Sequence, residues 1–191
     1  TINAWEKASD FTKEALIRYT NDSSPLNGYC RGTETDRGIG KQVRAIEGFI
    51  SRCKSEKDMI LMRGTAKGEI DALFGEGAYD KILANDKSLL GAVGVQRQFE
   101  STSFTEYGGY KPGINGVTVE MRIYAPEGTE MAFAKGFSDH DWRYGKKWHG
   151  QLPSDSDPIR WIDPDAENEF IINRGYKFRL VGYEVTDKEK G

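Results

Sequence analysis

The segment Asp165-Ala-Glu-Asn-Glu-Phe-Ile-Ile-Asn-Arg-Gly175 places two acidic side chains directly before a short apolar run. The run 170–172 has the aromatic and β-branched composition of a buried strand, and the Asn-Arg-Gly after it is typical of a turn into a second strand over 176–185. Because side chains alternate faces along an extended backbone, Glu167 and Glu169 are predicted to project from one side of the sheet. Two glutamates on an edge strand can also serve only solubility, so the pair needs support from the rest of the chain.

The amino-terminal quarter of the chain has the residue spacing of helices. Apolar residues recur every three or four positions over 5–19, which predicts one amphipathic helix whose apolar face includes Phe11. The turn-forming residues at 21–25 end that helix, and a loop is expected to continue through 31–33. A second helical pattern occupies 43–50. These helices are therefore expected to dock on whatever core the rest of the chain forms.

Beyond Asp58 the pattern changes to short apolar runs separated by glycine-rich turns. The predicted strands cover 59–62, 98–105, 117–124 and 131–134, and short helices and loops are expected over 68–94. This texture predicts an α+β fold with a mostly antiparallel sheet. At 191 residues the chain suits one domain, with a helical part over 1–57 and a β-rich part over 58–191.

Composition excludes several classes of function. The 27 basic and 30 acidic residues give a net charge of -3, which lacks the basic excess of nucleic-acid-binding proteins. No apolar run approaches the roughly 20 residues that span a bilayer, and the first residues do not have the pattern of a signal peptide, so a soluble chain is expected. Cys30 and Cys53 lie far from His140 and His149, which predicts free thiols and no metal site.

Two further polar motifs each adjoin an apolar, strand-like run. Arg63-Gly64 lies near the end of the first predicted strand, where a guanidinium needs either a phosphate or a carboxylate partner. In Ser101-Thr-Ser103 the two serines are predicted to share one face, with Thr102 on the other. A plain polar strand would also fit this motif. With two histidines and no nucleophile-elbow glycines, the chain gives little support to acyl-enzyme hydrolysis.

In this order, Arg63-Gly64, Ser101-Thr-Ser103 and Glu167-x-Glu169 resemble the signature of mono-ADP-ribosyltransferases. The resemblance is closest to the bacterial exoenzymes, which include actin-modifying binary toxins and clostridial Rho-modifying exoenzymes. The segments 15–20 and 26–29 also look like the family's helical amino-terminal part, so the resemblance covers the whole chain. It implies an ADP-ribosyltransferase-like fold with a two-sheet β core, and a glycosyltransferase that uses NAD as substrate.

The resemblance also implies a role for each motif. Glu169 would stabilise the oxocarbenium-like ribose that forms as nicotinamide departs, and Ser101 would hold Glu169 in place. Glu167 would orient or deprotonate the acceptor, and a glutamate at this position goes with arginine as that acceptor. Arg63 would bind the pyrophosphate, and the backbone at Gly64 would hold the nicotinamide amide. Further residues expected beside NAD are Tyr19, Gln98, Thr102, Ser103 and Tyr110, the last from a glycine-rich loop over 105–116.

Several alternatives remain open at this stage. Water could capture the ribose, which would make the chain an NAD glycohydrolase, or the motifs could persist in a non-catalytic phage or toxin binding module. Actin is a possible target, and a separate delivery component is possible. The resemblance implies a secreted or injected effector that acts in the cytoplasm of a target cell. The polar stretch 136–158 is longer than the family's usual segment there, which leaves target recognition undefined.

Overall fold

The computed structural model describes residues 1–104, 118–134 and 168–185. Four helices come first: α1 (Ile2–Glu6), α2 (Asp10–Asn21), α3 (Ser24–Arg31) and α4 (Arg37–Ile50). The β-rich part follows as β1 (Met59–Thr65), α5 (Lys67–Phe74), α6 (Ala78–Leu83), a 3-10 turn (Lys87–Leu89), β2 (Val93–Val95), β3 (Glu100–Ser103), β4 (Val119–Ala125), β5 (Met131–Phe133), β6 (Glu169–Ile172) and β7 (Lys177–Arg179). The change from helices to strands lies between Ile50 and Met59.

The amino-terminal helices correct the sequence prediction in two places. The single helix expected over 5–19 is two helices, because the Ser9 side chain accepts a hydrogen bond from the Thr12 amide and starts α2 as its cap. Phe11, assigned to the apolar face, is 46% exposed. The loop expected before Arg31 is instead α3, because a proline just inside a helix start favours the helix as much as it favours a turn.

The helices and the larger sheet bury one shared core. Residues of α1, α2 and α4 pack together, and Trp5 meets Phe49 edge to face with ring centroids 6.4 Å apart. The same cluster continues into the sheet through Phe99, Ala132 and Ile171. Helix α2 is therefore fixed against β3 and β6, the two strands that carry the serines and Glu169.

The strands form two antiparallel sheets, as the fold prediction required. The larger sheet has the order β4-β1-β3-β6-β5, and β2 pairs with β7 in the smaller one. The predicted α+β class, with helices on an antiparallel two-sheet core, is confirmed. Strand β1 runs on to Thr65, beyond the predicted 59–62, while β7 occupies only three residues of the predicted 176–185.

The order of the larger sheet brings separate motifs side by side. Strand β3 lies between β1 and β6, with Met62 opposite Ser103 on one side and Glu169 opposite Ser103 on the other. The turn after β6 is also as predicted, since Gly175 takes a left-handed φ of 88°. Over the described parts of the chain, no helix has the length and apolar character to cross a membrane, and no group of His, Cys, Asp and Glu has the arrangement of a metal site.

Candidate active site

A cleft of about 350 Å³ opens where α2, the start of α3 and strands β1, β3 and β6 meet. Its volume is at the lower end of the ~300–1,000 Å³ typical of small-molecule sites. Most of its lining is polar, and it includes Tyr19, Arg63, Gly64, Glu169 and the Ser-Thr-Ser segment 101–103. Three motifs that are far apart in the sequence therefore face one cavity.

Glu169 is placed by strand pairing. It begins β6 and lies directly opposite Ser103, and Ser101 is two residues back along β3 on the same face. Thr102 differs, because its hydroxyl donates to the Phe170 carbonyl at 2.9 Å and so ties β3 to β6. The expected shared face of the two serines is thus built into the strand. The expected bond between Ser101 and Glu169 stays a prediction.

Tyr19 supports this end of the cleft from beneath. Its side chain is only 2% exposed, and its ring packs edge to face on Phe99 at 5.6 Å. Its hydroxyl lies 3.1 Å from the Ser101 Oγ. Burial raises the pKa of Tyr19 far above its ordinary value, so the phenol stays neutral at any physiological pH. The ring belongs to the core, and the hydroxyl is the part of Tyr19 that can act on the site.

Arg63 has carboxylate partners and also lines the cleft. Its Nε and one terminal nitrogen donate to the two oxygens of Glu69 at 3.2 and 2.9 Å, and the other terminal nitrogen donates to the Ser101 carbonyl at 2.8 Å. A carboxyl oxygen of Glu100 also lies within salt-bridge distance of its Nε. Burial lowers the pKa of Arg63, but the Glu100 and Glu69 carboxyls together raise it by more. The net pKa is therefore above the ordinary value, and the guanidinium stays charged. The residue is salt-bridged and still lines the cleft.

The carboxyl groups that contact Arg63 are not among the site residues predicted from the sequence. Glu100 precedes the first serine of the motif and is completely buried, and Glu69 projects from α5. Gln96 donates from its amide nitrogen to Glu100 and, at 3.4 Å, to Glu69. Burial raises the pKa of Glu100 to about 8. In the sequence, Glu100 is recognisable only as an acidic residue next to Ser101, and the Ser-Thr-Ser motif does not require an acid at that position.

Asn27 is a second residue that the sequence prediction passed over. It lies in α3, is buried to 7% exposure and lines the cleft. Its Oδ1 atom has no hydrogen-bond partner among the described residues. A buried amide oxygen without a partner is costly, so the site is suited to a ligand that donates a hydrogen bond there. The segment Leu26-Asn-Gly-Tyr29, used above for the resemblance, contained this signal.

The other predicted site residues lie elsewhere or cannot be placed. Gln98 is buried, and its amide oxygen accepts a hydrogen bond from Arg31 of α3; it is not part of the cleft lining. Glu167 and Tyr110 lie outside the described residues, as does the polar stretch 136–158. Asn168 has a left-handed φ of 37°, so the alternation used to pair Glu167 with Glu169 does not extend past Glu169.

Comparisons with known proteins agree with this geometry. A family model described as ADP-ribosyltransferase exoenzyme matches residues 1–191. The fold is similar to C3larvin toxin from Paenibacillus larvae, with 16% identity and a TM-score of 0.63 over 98% of this chain and 94% of that one. It is also similar to C3stau2 from S. aureus, solved with NAD, with 17% identity and a TM-score of 0.61 over 96% and 84%.

A larger toxin component shares the fold as well. The enzymatic component C2-I of the C2-toxin from Clostridium botulinum is 19% identical, with a TM-score of 0.62 over 93% of this chain and 39% of that one. A search of curated proteins returned no match. At these identities the solved structures establish the fold, while the family follows from the match over the whole chain. With Arg63, the 101–103 segment and Glu169 gathered in one cleft, the chain belongs to the ADP-ribosyltransferase exoenzyme family.

Proposed function

We propose that the chain is an NAD-dependent mono-ADP-ribosyltransferase that modifies an arginine of a target protein and releases nicotinamide. The observation that carries this proposal is the position of Glu169 opposite Ser103 in a cleft whose next strand supplies Arg63. NAD requires a cation for its diphosphate and an anion for the ribose that becomes positive as nicotinamide leaves. The cleft offers both, with Arg63 on β1 and Glu169 on β6 of a single sheet.

Binding of NAD depends on Arg63 in this proposal. The carboxylate of Glu69 fixes the plane of the guanidinium, so its direction is set before a ligand arrives. A fixed fork loses less side-chain entropy on binding a diphosphate than a mobile one. Asn27 contributes an acceptor for a hydroxyl or amide of NAD, and the backbone at Gly64 is the expected contact of the nicotinamide amide.

Bond cleavage depends on Glu169. A carboxylate beside the ribose is stabilising chiefly when that ribose carries positive charge, so it favours the transition state over bound NAD. Ser101 and Ser103 position the carboxylate, and Tyr19 positions Ser101 through its hydroxyl.

Arginine specificity rests on Glu167. A guanidinium has a pKa above about 12 and is a poor nucleophile unless a base assists it. Glu167 is proposed as that base. Actin is a possible target, and action in a target cell would require secretion or injection, with or without a separate delivery component. We also propose that 1–191 acts as one catalytic domain.

One paired assay tests the proposed function. Nicotinamide release is measured from NAD alone, and ADP-ribosyl-agmatine formation is measured when agmatine is added. Formation of the agmatine adduct supports arginine transfer, whereas release that is indifferent to agmatine makes the chain an NAD glycohydrolase. No release and no adduct would leave a binding module of the same fold.

The Glu167→Gln variant tests the acceptor role separately. Because the amide cannot accept the guanidinium proton, agmatine transfer should collapse while slow hydrolysis of NAD continues. Equal loss of both activities would mean that the two glutamates act as one unit. Retention of both would remove the support for arginine as the acceptor.

A further inference from the structure

Two carboxyl groups contact the guanidinium of Arg63. The proposed chemistry does not require this arrangement. Glu69 binds it through both oxygens, and a carboxyl oxygen of Glu100 lies within salt-bridge distance of the same Nε. Gln96 bridges the two carboxyls from its amide nitrogen, and the Thr65 hydroxyl donates to Glu69 at 2.7 Å. The result is a closed ring of buried and half-buried polar groups beside the cleft.

Charge balance in this ring favours one retained proton. If both glutamates were ionised, the ring would carry a net charge of -1, and an uncompensated buried charge is strongly unfavourable. Glu100 is the better holder of the proton, because its side chain is 0% exposed while that of Glu69 is 19% exposed and accepts the bidentate bond. The pKa values support the same assignment of the proton. Burial raises the pKa of Glu100, whereas at Glu69 the effect of Arg63 outweighs that of burial and lowers the pKa.

The surroundings of Glu100 are defined on each described side. Strand β1 presents Arg63, α5 presents Glu69, and the segment before β3 presents Gln96. On the β6 side its strand partner is Ile172, which has no charge. Arg63 and Glu69 are thus the charged groups that the described elements direct at Glu100.

Arg63 belongs both to this ring and to the cleft lining, so the charge of the ring affects a ligand in the cleft. One hydrogen from each of its three nitrogens already donates to Glu69 or Ser101. A guanidinium has about five N–H groups, so two remain for other partners, including a ligand. A second negative charge beside the same guanidinium would oppose the approach of a diphosphate to those groups.

We propose that Glu100 is a positioning residue for Arg63, whose protonated form holds the guanidinium towards the cleft without cancelling its charge, and whose ionised form weakens the binding of a diphosphate. This rests on the proposed use of NAD. The chain would therefore bind NAD more weakly as the pH rises from neutral into the alkaline range. The diphosphate of NAD does not itself titrate in that range, so the change would come from the protein.

Calorimetric titration with NAD between pH 6.5 and 9 tests this inference. We expect the affinity of the wild type to fall on the order of fivefold across that range, from one added charge near the ligand. Glu100→Gln, which is neutral at every pH and close in size, should bind with no such step. In Glu69→Gln the remaining carboxyl pairs alone with Arg63 and ionises earlier, so the step should move to lower pH. Glu47→Gln, which alters an ion pair with Arg174 outside the cleft, should keep the wild-type profile.

A second measurement separates this inference from the proposed function. The carboxyl 13C shift of Glu100 and the 15N shift of Arg63 Nε are followed by NMR in the wild type without ligand. A joint step in the alkaline range supports the inference. Titration of Glu100 near its ordinary value, or an Arg63 signal that ignores it, overturns it, as does a Glu100→Gln variant with the wild-type pH profile. Absence of NAD binding at every pH, with the NMR step present, would overturn only the proposed use of NAD.

Discussion

The two ends of the cleft solve opposite electrostatic problems. At the Glu169 end, Ser101 and Ser103 line the cleft, and the Tyr19 hydroxyl lies 3.1 Å from that of Ser101. At the Arg63 end, a cation contacts two carboxyls, of which Glu100 is fully buried and Glu69 partly exposed. A hydroxyl group does not offset the charge of a carboxylate near it, whereas carboxyl partners fix Arg63 at the expense of part of its charge. The guanidinium is therefore held in a fixed direction by the same groups that offset part of its charge.

The largest expected effect on activity comes from removing the charge at the Glu169 end. Glu169→Gln keeps the size of the side chain but loses the anion that faces the ribose, so nicotinamide release should fall on the order of 10²-fold or more. NAD affinity should change little, because the carboxylate acts on the transition state. Glu120→Gln on the exposed part of β4 is the matched control and should keep wild-type activity. Near-native turnover by Glu169→Gln would contradict the catalytic role.

The next effect concerns stability at the Arg63 end. The folded chain holds a proton on Glu100 that the unfolded chain releases near the ordinary value of 4.5, because burial raises the pKa of Glu100 to about 8. The free energy of unfolding should therefore decrease as the pH rises from 4.5 to about 8, by about 1.4 kcal/mol for each pH unit between these two pKa values. Glu100→Gln should lose this slope in urea unfolding experiments, while Glu47→Gln keeps it. Parallel slopes for all three proteins would show that Glu100 titrates normally.

A smaller effect is expected when the guanidinium alone is replaced. Arg63→Lys keeps the positive charge but loses the fork that Glu69 and the Ser101 carbonyl hold, so NAD affinity should fall about tenfold by calorimetry. Arg31→Lys is the control, since Arg31 bonds Gln98 away from the cleft. Unchanged affinity of Arg63→Lys would reduce Arg63 to a structural salt bridge.

The difference between the two ends also marks how far the sequence could predict the site. The Glu169 end was predictable because Ser101, Ser103 and Glu169 lie on short strands whose alternation fixes their faces. The ring around Arg63 was not, because Glu69, Gln96 and Glu100 meet only through the packing of α5 and β3 on β1. No periodicity in the sequence records such contacts. The same limit applied to α3, where Pro25 suits a turn and a helix start equally well.

The smallest expected effect tests whether the hydroxyl groups at the Glu169 end act as a chain of supports. Tyr19→Phe keeps the ring on Phe99 and removes only the hydroxyl that lies 3.1 Å from the Ser101 Oγ. The lost hydrogen bond should lower the free energy of unfolding by about 1 kcal/mol. Because Ser101 would then turn more freely, kcat for nicotinamide release should fall a few-fold, on the order of 1 kcal/mol of transition-state stabilisation, with KM nearly unchanged.

The control for Tyr19→Phe removes an equivalent hydroxyl outside the cleft. Tyr124→Phe loses a bond of 2.6 Å to Asp58 on the exposed side of β4 and should leave kcat unchanged. Loss of stability without loss of kcat in Tyr19→Phe would make Tyr19 a core residue only. The double variant Tyr19→Phe with Ser101→Ala completes the test. If its kcat is no lower than that of Ser101→Ala alone, the tyrosine acts through the serine, because the effects of residues in contact are not additive.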